Sequence, residues 1–115
     1  MPEDPRDAPA ATLRALAEPN RMRIVELLRT GPLAVGEIAE RLDLRQPQAS
    51  KHLKVLADSG VVDMTADANR RIYGLRAGPF EALDAWLQPF RAVTEERLDN
   101  LDAYLRELQG RKQKP

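Results

Sequence analysis

Hydrophobic positions along this chain follow a helical period up to about residue 58 and a different one after Gly60. Leu13, Leu16 and Ala17 make a short apolar stripe, which Glu18-Pro19-Asn20 interrupts because the residue before proline disfavours helical geometry. Met22, Ile24, Val25, Leu27 and Leu28 predict a second helix over Asn20 to Arg29, ended by Thr30-Gly31-Pro32. Ile38, Ala39 and Leu42 share one face of a third. After the tight turn Asp43-Leu44-Arg45, the residues Leu53, Leu56 and Ala57 mark the buried face of a fourth. Pro47 is tolerated in its first turn, where the missing N–H had no partner. Segment 35–58 therefore reads as helix, short turn, helix.

Past Gly60, residues 61–65 and 70–75 predict two strands, with 66–69 as a polar hairpin loop. A last helix begins near residue 77 and reaches about Leu108. Its apolar positions Leu83, Leu87, Phe90, Leu98, Leu101, Leu105 and Leu108 are spaced by threes and fours, and Pro89 is expected to kink or split it. A helix of about thirty residues runs roughly 45 Å, more than so small a domain can cover. Its surplus apolar surface is expected to pair with a second, two-fold related subunit.

Composition narrows the classes. With 43% hydrophobic and 31% charged residues in 115, the chain is a globular protein of one modest core. It carries 18 basic and 18 acidic residues, so total charge gives no argument for nucleic acid. A local stripe does: Arg45, Lys51, Lys54, Arg70 and Arg71 gather in the middle of the sequence. The lack of cysteine excludes disulfides, thiolate metal sites and thiol nucleophiles. No apolar run approaches the roughly 20 residues that cross a bilayer, and the polar, proline-rich start reads as neither signal peptide nor anchor. A cytoplasmic protein is expected.

Helices, then a helix-turn-helix, then a two-stranded hairpin form the layout of a winged helix-turn-helix, mainly α with a small β-hairpin. The second helix of such a pair enters the major groove, roughly 12 Å wide, with its N-terminal half toward base edges. Here that half is Gln46-Pro47-Gln48-Ala49-Ser50-Lys51-His52. Glutamine pairs bidentately with adenine, serine donates or accepts, and lysine suits guanine or phosphate. Asn69-Arg70-Arg71 would be the wing tip.

The strings LAEPNRMRIVELL, PLAVGEIAERLDL, RQPQASKHLKVLADSGVV and RRIYGL resemble, in order and spacing, the ArsR-type family of bacterial repressors from about residue 12 to 76. The resemblance implies a homodimeric winged-helix repressor on an inverted-repeat operator, dimerising through its first helix (Leu13, Leu16) and its last. It implies that Gln46, Gln48, Ala49, Ser50, Lys51 and His52 face DNA, with Arg70 and Arg71 in the wing. Asn20 and Arg21, at the start of the second helix, would contact phosphate, as would Arg45 and Lys54. The chain would then divide into a disordered tail (1–9), a DNA-binding domain (10–76), a dimerisation helix (77–109) and a basic frayed tail (110–115).

Departures from the family pattern matter too. Metal-sensing members carry a cysteine pair in a string like L-C-V-C-D, and here Leu33-Ala34-Val35-Gly36-Glu37 has Ala34 and Gly36 instead. The last helix has no histidine, and its carboxylates Asp84, Glu95, Glu96, Asp99 and Asp102 suit hard ions better than zinc. No metal and no cofactor are expected. Arg45 stands where a capping serine is common, losing the cap.

Plainer readings compete with these. Lysines are ordinarily solvated, basic hairpin residues also blunt sheet edges, and a lone histidine is ordinarily a surface residue. Phe80, Trp86 and Phe90 could line a pocket for an apolar effector, although aromatic clusters are usually core. The long helix could instead make the whole domain a protein-interaction module. An enzyme is not expected: one histidine, no serine-histidine-acid set and no glycine-rich phosphate loop leave no catalytic constellation.

Overall fold

The computed structural model describes residues 4–113. Five helices and three strands follow one another as α1 (Pro9–Leu16), α2 (Pro19–Leu28), β1 (Leu33–Ala34), α3 (Val35–Leu42), α4 (Gln46–Asp58), β2 (Val62–Asp67), β3 (Arg70–Leu75) and α5 (Ala77–Gln113). The chain divides after Leu83 into two compact units.

The first unit holds the core. Ile24, Val25 and Leu28 of α2 meet Ile38 and Ala39 of α3, Ala49, Leu53 and Leu56 of α4, Val61 just ahead of β2, and Val62 and Tyr73 of the sheet. Both helices of the turn-linked pair end in the same way. At the end of α3, Asp43 takes the left-handed conformation (φ 55°) and Leu44 N–H donates to the Ala39 carbonyl at 2.9 Å. At the end of α4, Gly60 (φ 78°) precedes Val61, whose N–H donates to Leu56 at 2.9 Å. These six-to-one bonds satisfy carbonyls that a helix end would otherwise leave open. Gly60 has a second reason: an added Cβ would lie 2.7 Å from the Arg6 Cβ.

The sheet is antiparallel in the order β1-β3-β2. The two-residue strand β1 is invisible to sequence periodicity; it exists because Leu33 and Ala34 pair with Tyr73 and Ile72. The hairpin loop is shorter than the expected 66–69, since Ala66 and Asp67 pair with Arg71 and Arg70, leaving Ala68-Asn69 as the turn. Ala68 pays for that tightness with φ 54°, unusual for a residue with a Cβ.

The described part of the expected N-terminal tail is ordered, with residues 1–3 outside the described range. Residues Pro5–Asp7 form a 3-10 turn capped by Asp4, whose carboxylate accepts from Arg6 N–H at 2.9 Å. Hydrogen bonds from the Arg6 side chain and amide hold that carboxyl at about 2. Arg76 Nη1 donates to the Gly60 carbonyl at 2.7 Å and to Asp7 Oδ1 at 3.3 Å, so residue 7 is anchored to the base of the wing.

In the second unit, α5 runs through Pro89 without being split and continues to Gln113, past the expected end at 109; of the expected frayed tail only 114–115 lie outside the described residues. Proline removes one intrahelical bond, and Ala85, whose carbonyl loses its partner, is exposed to water that can replace it. Leu87 and Leu108 are half-buried, whereas Trp86, Phe90, Val93, Leu98, Leu101, Tyr104 and Leu105 are exposed. Among the described residues no helix is long and apolar enough to cross a membrane.

The corner between α1 and α2 is held by side chains. Glu18 caps α2, accepting from Arg21 N–H at 2.8 Å. Arg21 reaches back, its Nε donating to the Ala15 carbonyl at 2.6 Å. Desolvation raises the Glu18 carboxyl, but the Arg21 and Asn20 amides and then the charges of His52 and Arg21 outweigh it, holding the group below its ordinary value of 4.5.

Two outcomes follow from this packing. Leu53→Ala, emptying a site with no solvent exposure, should cost about 3 kcal/mol in urea unfolding. Glu18→Gln should be less stable than the native chain above pH 4.5. Because a lowered carboxyl contributes stability only while ionised, that deficit should shrink as the pH falls through the lowered value. Thermal unfolding of both chains across an acid pH series measures it.

Candidate nucleic-acid interface

The buried face of α4 decides which of its residues face out. Ala49, Leu53 and Leu56 have no exposed surface, so the positions between them are turned to solvent or to the helix flanks. Arg45, Gln46, Gln48, Lys51 and Lys54 are exposed, and Ser50 is half-buried. Arg45, Pro47, Gln48 and Lys51 together line a shallow depression at the start of the helix. Arg45 makes no side-chain cap, so the first-turn amides of Gln46 and Gln48 have no side chain across them.

The wing lies beside this surface. Arg71 Nη2 donates to Ser50 Oγ at 3.4 Å, linking β3 to α4. Arg70 forms a short ion pair with Glu37 of α3, across a cleft also lined by Gly36, Glu40, Gln46 and Asn69. Among the described residues neither Arg45 nor Lys51 has an ion-pair partner. Lys54 is paired with Asp58 at 3.2 Å, although both are well exposed and such a pair yields readily to a competing anion.

Three expected contact residues are placed differently, and Asn20 is engaged by a neighbouring side chain. Ala49 is fully buried, because its small side chain sits at the inner face of α4. His52 turns toward the α1–α2 corner, with Nδ1 3.6 Å from Glu18 Oε2 and its side chain 18% exposed. Arg21 has its guanidinium drawn back onto the Ala15 and Arg14 carbonyls at the end of α1, the latter also accepting from Ala17 N–H. Asn20 Oδ1 accepts from Arg23 Nη1 at 3.3 Å.

Sequence reasoning missed Glu18 and Glu37. Glu18 had a signal, an acid directly before the proline that opens a helix. Glu37 lies 33 residues from Arg70 in sequence, and only the folded sheet brings them together. Of the aromatic set, Phe80 packs against the core of the first unit, while in the second the Trp86 and Phe90 rings lie 4.9 Å apart, tilted by 47°. Among the described residues no group of three or more ligating side chains could hold a metal ion.

Known proteins match this arrangement. A family described as a helix-turn-helix domain matches residues 16–65. The HTH-type transcriptional regulator Rv2034 of Mycobacterium tuberculosis is 42% identical over 76% of this chain and 83% of its own length. The biofilm growth-associated repressor of Agrobacterium fabrum is 35% identical over 77% and 76%. Among solved structures, the crystal structure of an ArsR family transcriptional regulator superimposes with a TM-score of 0.67 at 30% identity, over 83% of this chain and 97% of that one. The homodimeric winged helix-turn-helix DNA-binding domain Mb0332 of Mycobacterium bovis does so with 0.58 at 30% identity, over 79% and 82%. With a helix-turn-helix closed by an antiparallel wing, and with relatives of this similarity along most of its length, the chain belongs to the ArsR-type family of winged helix-turn-helix transcriptional regulators.

Proposed function

We propose that this regulator is a cytoplasmic homodimeric repressor that binds an inverted-repeat operator, with α4 in the major groove. One observation carries the reading: complete burial of Ala49, Leu53 and Leu56 leaves Gln46, Gln48 and Lys51 on the open side of the same helix. Gln46 and Gln48 are suited to adenine edges, and Lys51 to guanine. Arg45 and Lys54 flank them as phosphate contacts, and Arg70 and Arg71 supply wing charge. The net charge of zero is no obstacle, since the cations on this surface act over a screening length of about 8 Å at physiological salt.

Two copies are needed because one α4 reads only a half-site, and a two-fold dimer presents two. The exposed stripe of α5, from Trp86 through Leu98 and Leu101 to Leu105, is the apolar surface available for that pairing, with Leu13 of α1 also exposed. The homodimeric relative from Mycobacterium bovis supports this assembly.

The test is binding of the purified chain to its own upstream DNA and to random DNA across a salt series. Tight, sequence-dependent binding that weakens steeply with salt is expected, and equal weak binding to both would refute the reading. Gln48→Ala should lower affinity for the preferred sequence by about 1–3 kcal/mol and relax its preference, while Arg45→Ala should weaken all sequences alike and reduce the salt slope by about one. Leu101→Asp should yield a monomer in sedimentation at concentrations where the native chain is dimeric; a dimer that survives it would place the interface elsewhere.

A further inference from the structure

We propose that Glu18 is a positioning residue for the DNA-reading helix: seated on the first amides of α2 and facing His52, its carboxylate fixes where α4 lies. The inference rests on the reading that α4 contacts DNA.

Residue type is the first argument. Serine, threonine, asparagine and aspartate are the favoured N-caps, and glutamate is a poor substitute because its longer side chain must fold back to reach the amides. Capping alone therefore does not call for glutamate at residue 18. The extra methylene gives it a second partner, since Oε2 both accepts from Arg21 N–H at 2.8 Å and lies 3.6 Å from His52 Nδ1. The latter separation is too long for a hydrogen bond, and it is an ion pair only when His52 carries its second ring proton. Both side chains are mostly covered, 29% and 18% exposed, so water screens the contact less than it would a surface pair.

Placement is the second argument. His52 follows Lys51 directly and lies one turn beyond Gln48, so it shares a helical turn with the outward residues while its own imidazole turns inward. The other end of the contact does not move freely. Arg21 ties the start of α2 to the end of α1 through the Ala15 carbonyl, making the corner a fixed support. Base-edge recognition tolerates errors of only about 0.5 Å in side-chain placement.

Glu18→Asp separates this role from capping, because aspartate is a better cap and cannot reach His52. The full-length chain is used to select from a pool of random-sequence DNA duplexes. Affinities for the enriched duplex and for the unselected pool are then measured for the native chain, Glu18→Asp, His52→Ala and the double variant. Glu18→Asp should unfold at or above the native temperature, keep its affinity for the unselected pool, and lose discrimination on the order of tenfold. It should add nothing further in the His52→Ala background. Unchanged discrimination, an equal loss on both DNAs, or a loss that persists without His52 would each overturn the role of Glu18. A native chain that enriches no sequence would overturn the DNA-reading itself, and this inference with it.

Discussion

The burial of one face of α4 is the constraint from which the surface follows. Ala49, Leu53 and Leu56 are each wholly enclosed by α2, α3 and the sheet. Turning the helix by one residue, about 100°, would drive Ser50 or Lys54 into that enclosure, where an unpaired polar group or charge costs several kcal/mol. The helix therefore has one rotational setting. Its glutamines and Lys51 face outward because the opposite face is enclosed.

Polar side chains refine what apolar packing sets. Glu18 and Arg21 fix the α1–α2 corner, Arg76 fixes the base of the wing, and Arg70 and Arg71 hold the wing against α3 and α4. Individually such surface and half-buried contacts contribute little to stability. Their value lies in direction, since each joins two different elements. The apolar core makes the domain fold, and these tethers give its reading surface a definite shape.

Much of this was legible in the sequence. Every helix of the first unit announced itself through apolar spacing, and the winged layout followed from the change of period at Gly60. The strand Leu33–Ala34 did not, because two residues carry no period and pairing with β3 alone creates them. Order in residues 4–7 was hidden for a similar reason, since it depends on Arg76, which lies 69 positions from Asp7. Ala49 was misread because position within a family motif says that a helix touches DNA, whereas rotation about its axis says which side chains do. Leu53 and Leu56 already defined that rotation, and extending their stripe back by four residues would have placed Ala49 inside. His52 is subtler: it lies at the flank, where an inward turn depends on a partner in another helix.

The wing arginines carry a consequence for how such a surface is mapped. Arg71 is bonded to Ser50 and Arg70 to Glu37, so each is a structural brace as well as a cation on the proposed DNA-facing surface. Truncating either one removes a charge and also loosens the hairpin. Residue-by-residue mapping would then credit the missing side chain with a direct touch that a neighbour makes. The footprint so drawn would be larger than the true one, and its excess would mark the scaffold rather than the contact.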